Sequence, residues 1–110
     1  MNTQEETADR LMQRDLLEDA RRHAAAYNVT LGEFLSGSRR KGIVAARHAF
    51  WAELYSRGHW SYPRIAELFG VDHTSVMYGV WKHGERRASA AISSKIEIAA
   101  MAAEIHEAQR

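Results

Sequence analysis

Between Ser61 and Gly84 the chain is punctuated as two short helices meeting at a glycine, and this limits its fold more than any other feature. Ser61 is a helix cap, and Pro63 falls in the first helical turn, where a missing N–H costs nothing. That helix is expected to end at Phe69-Gly70. Asp72 caps the next, which is expected to run to about His83 and stop at Gly84. Ala66, Gly70 and Val76 stand four and six residues apart. Ala66 is small enough for a second helix to cross close above it. Gly70 permits the positive φ of a tight turn. Val76 plugs the seam, helped by Ile65, Phe69 and Val71. Together these are the steric requirements of a helix-turn-helix.

The rest of the chain also reads as helix. Pro63 is the single proline, and Ala, Leu, Arg and Glu dominate. A first helix is expected over about Thr7 to Tyr27, with Leu16, Ala20, Ala24 and Tyr27 on one stripe. Asn28 supplies a left-handed cap. Thr30 with Glu33 forms a capping-box pattern before a short helix, Leu31 to Leu35. Ser36-Gly37-Ser38 breaks it, and Arg39-Arg40-Lys41 make a compact basic loop. A helix over about Ile43 to Ser56 follows, ended by Gly58. A last helix, about Ala88 to Ala108, carries Ile92, Ile96, Ala99 and Ala103 along one side. The expected organisation is a flexible acidic stretch over 1–10, a helix-turn-helix domain over 11–87, and a C-terminal helix over 88–110.

Composition sets the class. The 110 residues suit one domain, and 45% apolar with 26% charged is an ordinary globular balance. The absence of cysteine excludes disulfides, thiolate catalysis and Cys-based zinc sites. No apolar run approaches the roughly 20 residues needed to cross a bilayer, and the polar N-terminus does not read as a signal peptide, so a cytoplasmic location is expected. Net charge is only +1, but its distribution is uneven. Residues 1–35 balance to −3, residues 36–87 to +5 and residues 88–110 to −1. The positive charge gathers where an anionic partner would be met.

In a helix-turn-helix the first turn of the second helix points side chains at base edges in the major groove. Here that turn carries Asp72, His73, Thr74 and Ser75, short donors and acceptors suited to such work. The Thr74 methyl suits a thymine methyl, and Asp72 either accepts from a cytosine amino group or simply caps the helix.

The run Phe69-Gly70-Val71-Asp72-His73-Thr74-Ser75-Val76 resembles the Asp-His-Thr-Thr-Val signature of the C-terminal DNA-binding domain (domain IV) of the bacterial replication initiator DnaA. The similarity continues upstream through Tyr27-Asn28-Val29-Thr30, Phe34-Leu35-Ser36, Ser38-Arg39-Arg40, Ile43 to His48 and Ser61-Tyr62-Pro63, covering about residues 20–84. The resemblance implies an all-α, Trp-repressor-like helical bundle with an extra C-terminal helix. It implies that Asp72, His73 and Thr74 read the major groove with Ser75 alongside, and that Arg39 enters the adjacent minor groove. Arg47 and His48 match DNA-contacting positions, and Lys82 matches a basic position that meets a phosphate. Arg40 and Lys41 add backbone attraction, and Ser61 and Pro63, at the start of the first helix of the pair, belong to the same implied surface. The chain departs from the family at Val71, where a basic residue is usual, at His48, where glutamine is usual, and at Ser75. It has no Gly-x4-Gly-Lys-Ser/Thr loop and no room for an ATPase domain, so the expectation is a free-standing reading head.

Other chemistry is weaker. His23, His48, His59, His73, His83 and His106 show no His-x3-His or His-Glu-x2-His spacing, so no metal or cofactor is expected. Asp72, His73 and Ser75 have the residue types of a hydrolytic triad, but neighbours on one turn cannot align base, orienter and nucleophile, so no enzyme and no small-molecule substrate is expected. Trp51, Trp60 and Trp81 read as core rather than stacking platforms. The last helix either folds back on the first, the favoured reading, or presents its apolar side to a second subunit, as a homodimer, or to another protein. The expected partner is double-stranded DNA, with a role in replication or transcription regulation at the nucleoid. A protein–protein adaptor that keeps the fold is the alternative.

Overall fold

The computed structural model describes residues 4–108, and side chains through 103. The described residues form six helices: α1 Gln4–Gln13, α2 Leu17–Ala26, α3 Leu31–Leu35, α4 Lys41–Ser56, α5 Tyr62–Phe69 and α6 His73–Ala108. Among the described residues there is no strand.

Three features differ from expectation. The first is a break where one helix was expected over Thr7 to Tyr27. Asp15 takes φ 58°, and the Leu16 amide donates to the Leu11 carbonyl at 2.8 Å. This is a left-handed helix stop, which Asp tolerates better than most residues. Asn28, at φ 56° with the Val29 amide bonded to the Ala24 carbonyl at 3.0 Å, repeats the motif where it was expected.

The second concerns the N-terminal segment. Residues 4–10, expected to be a flexible tail, are most of α1; residues 1–3 lie outside the described residues. Thr7 and Leu11 are buried, and Arg10 Nε donates to the Leu68 carbonyl at 2.9 Å. The acidic side chains face water, while the one apolar stripe docks on the end of α5.

The third is at Gly84, which does not end a helix. Its neighbours Glu85 to Ala88 are strong helix formers, enough to absorb the roughly 1 kcal/mol cost of a glycine. Lys82 and Glu85 pair across it at 3.5 Å, and Arg86 is anchored to His48. α6 therefore runs 36 residues, about 54 Å at 1.5 Å per residue. Its second half does not fold back. Ile92, Ile96, Ile98 and Met101 are 58–66% exposed. The radius of gyration is 17.8 Å, against about 13 Å for a compact chain of this length.

The core lies where α2, α4, α5 and the first turns of α6 meet, with α1 and α3 each adding a buried side chain. Phe34, Phe50, Trp51 and Phe69 meet edge to face, with ring centroids 5.6–6.1 Å apart. Leu11, Leu16, Leu54, Ile65 and Val76 fill the space around them. Trp51 and Trp60 are buried as expected, whereas Trp81 is 59% exposed.

Candidate nucleic-acid interface

The turn between α5 and α6 is set by three local devices. Ser61 Oγ accepts from the Arg64 amide at 3.3 Å and starts α5, with Pro63 in its first turn. Gly70 sits at φ 62°, ψ 37°, and the Val71 amide bonds back to the Ala66 carbonyl at 3.1 Å. The Asp72 carbonyl then accepts from the Ser75 amide at 3.0 Å, while Asp72 Oδ1 accepts from the Thr74 amide at 2.9 Å and the Thr74 hydroxyl at 3.0 Å. Asp72 is thus the cap of α6. The bond from the Thr74 amide, with that from its hydroxyl, holds the Asp72 carboxyl below the usual carboxylate range. Ala66 and Val76 are buried at the crossing.

The same geometry exposes Asp72, His73, Thr74 and Ser75. His73 Nδ1 lies 3.3 Å from Asp72 Oδ1, so the cap carboxylate also orients the ring. Pro63 shares a shallow groove with Asp72 and His73, which joins the start of α5 to the start of α6.

The basic loop reaches this edge from the α4 side. Ser36 Oγ donates to the Glu33 carbonyl at 2.6 Å and accepts from the Ser38 amide at 3.2 Å. Arg47 Nη2 donates to the Ser38 carbonyl, fixing the loop to α4. Arg39, Arg40 and Lys41 stay exposed, with Arg40 in a surface pair with Glu33 at 3.4 Å. An open groove of about 630 Å³ lies between the loop and the helix, lined by Ser38, Arg39, Arg47, Thr74, Ser75 and Tyr78 among others. The loop arginine, the α4 arginine and the start of α6 therefore share one concave surface.

His48 also lines this groove, but from deep in its wall. It is only 7% exposed, and its Nδ1 accepts from Arg86 Nη1 at 3.0 Å. Burial, reinforced by Arg86, Arg47 and His83, pulls its pKa down to about 4. It is a largely buried, neutral residue of the groove wall, tied to α6 through Arg86. Arg47 is also half-buried, and burial lowers its pKa, though an arginine keeps its charge. Lys82 lies two turns along α6 from Ser75, tied to Glu85.

Gly79 and Arg86 carry parts of the site that sequence reading passed over. A Cβ on Gly79 would sit 2.6 Å from His48 Cδ2 and 2.7 Å from Trp51 Cε3, so this glycine lets α6 lie directly on α4. A glycine inside a helical pattern was the available signal. Among the described residues no group of three His, Asp or Glu side chains is placed to hold a metal ion, and no helix is long and apolar enough to cross a membrane.

A family model for the bacterial DnaA protein helix-turn-helix matches residues 20–82, more than half of the chain. No curated protein and no solved structure matches it. The match begins inside α2 and ends inside α6, so α1 and the projecting half of α6 lie outside it. With the α5–Gly70–α6 geometry and the matched segment in agreement, the chain belongs to the bacterial DnaA helix-turn-helix family, and with it to the DNA-binding helix-turn-helix proteins.

Proposed function

We propose that the protein reads specific duplex DNA sequences, with the first turn of α6 in the major groove and the Arg39 loop in the neighbouring minor groove. His73, Thr74 and Arg39 carry specificity; Asp72 and Ser75 flank the reading edge. Arg40, Lys41, Arg47, Lys82 and the α5 start at Ser61 and Pro63 supply backbone contacts. The observation that supports this most is the shared groove of Arg39, Arg47, Thr74 and Ser75. Two reading elements on one concave face suit adjacent grooves of one duplex, and a narrow A·T-rich minor groove favours an inserted arginine. The role is regulation of replication or transcription in the cytoplasm, at the nucleoid. Selection of bound sequences from a random duplex pool tests the reading: a recovered consensus supports it, and a pool no different from the input contradicts it.

The projecting half of α6 serves to join two copies through Ile92, Ile96, Ala99 and Ala103, whose four-three-four spacing is that of a coiled-coil seam. A second reading is a protein–protein adaptor. It is favoured by Met77, Tyr78 and Trp81, 45–59% exposed along α6 and bordering a mostly apolar hollow with Tyr62. Salt separates the two: duplex affinity that falls steeply with salt supports the first, and a salt-insensitive protein complex without duplex affinity supports the second.

A further inference from the structure

We infer that Arg14 and Arg64, with Arg10 beside them, form a second phosphate-binding patch that extends the DNA contact beyond the helix-turn-helix onto α1. The inference rests on the duplex-binding reading above. α1 lies outside the segment that matches the family, and its local charge is acidic, so nothing in the sequence singles it out as basic surface.

The fold changes that. α1 docks its C-terminal end against α5, and a cleft of about 150 Å³ opens there, lined by Arg10, Arg14, Trp60, Arg64 and Glu67 among others. Arg64 is held in place twice. Its guanidinium carbon lies 4.9 Å from the Trp60 ring centre, and its Nη1 donates to the His59 carbonyl at 2.9 Å. A stacked, tethered guanidinium has less freedom to lose when it meets a phosphate, and it keeps unused donors of its five N–H groups. Arg10 Nε donates to the Leu68 carbonyl and Nη2 to Thr7 Oγ1 at 3.3 Å, which fixes the cleft wall. Arg14 is exposed at the mouth.

The cleft also neighbours the groove at the reading edge, with Glu67 common to both. That groove holds Pro63, Asp72 and His73. The exposed face of α5, Pro63, Arg64 and Glu67, lies between His73 and the other arginines. In a helix-turn-helix the first helix of the pair crosses the DNA backbone. A duplex with its major groove at His73 would carry that backbone along α5 toward Arg64 and then Arg14. Two carboxylates border this path, Asp72 at the reading edge and Glu67 midway, and Arg10, Arg14 and Arg64 gather at its far end.

The test is the salt dependence of binding to a 30-bp random-sequence duplex, followed by fluorescence anisotropy. Arg14→Gln/Arg64→Gln is expected to bind roughly tenfold more weakly than wild type, with a salt slope shallower by about two and an unchanged base preference in the selected pool. Arg64→Lys, which keeps the charge, restores most of the slope in an Arg14 background. The melting transition of each variant shows that the domain is folded. If the folded double variant keeps the wild-type slope, the patch does not touch DNA and the inference is overturned while the reading head stands. If the variant loses capture of a poly-glutamate peptide and keeps duplex affinity, the patch belongs to an acidic protein partner, which also overturns it. If wild type binds no duplex at all, the reading of the helix-turn-helix falls, and this inference with it.

Discussion

At the scale of single residues, the start of α6 does two jobs with few atoms. Asp72 closes the helix end with its side chain and backbone, and in doing so leaves His73, Thr74 and Ser75 facing out. Further down the helix the demand is reversed, because Gly79 must offer nothing at all. Gly79→Ala would press a methyl into the buried rings of His48 and Trp51. Its better helix propensity returns about 1 kcal/mol, and overpacking costs roughly 1–3 kcal/mol, so a lower melting temperature is expected in calorimetry. His48 beneath it is buried neutral, with its pKa down to about 4. Between about pH 6.5 and 4 the unfolded chain takes up a proton there that the folded chain refuses, so stability falls as pH drops through that window and levels off below it. His83, whose pKa burial also lowers, acts with the same sign. His48→Gln keeps an acceptor for Arg86 and removes the titration. Urea melts across the window should then show a pH-dependent loss smaller by roughly 3 kcal/mol than in wild type.

At the scale of elements, what was legible was what is local. Thr30 and Glu33 close their capping box within four residues, with bonds of 3.1 and 2.9 Å, and Gly70 and Asn28 declare their left-handed turns by residue type. Asp15 does not, since an aspartate inside an apolar period reads as helix surface until Leu16 is needed in the core. Gly84 misleads the other way. It has the identity of a stop, but the contact that carries the helix past it joins Arg86 to His48, 38 positions away. Of the candidate site, the reading edge and the basic loop were legible from caps and charge. The burial of His48 was not, because it depends on Gly79 bringing α6 down on α4. α1 shows how far an acidic segment can still be part of a core. Leu11→Ala is expected to cost roughly 2–5 kcal/mol of unfolding free energy, far more than any change in a flexible tail. A denaturation midpoint equal to wild type would show that α1 does not dock.

At the scale of the whole molecule, the chain is a globular head with a helical rod. The rod leaves Ile92, Ile96, Ile98 and Met101 to water in a single copy. Removing residues 88–110 should therefore leave the melting temperature of the head within a few degrees, while abolishing self-association in sedimentation velocity. A head that unfolds on truncation would instead mean that the rod packs on it.

The central claim is that the start of α6 and the Arg39 loop read adjacent grooves of one duplex. The measurement that tests it most directly is affinity across every single-base change of the selected site, for wild type, His73→Ala and Arg39→Ala. Each variant is expected to lose roughly 1–3 kcal/mol on the preferred duplex and to relax discrimination at its own positions, those of His73 and Arg39 lying next to each other. A His73→Ala protein that still separates preferred from random duplexes as wild type does would contradict the account.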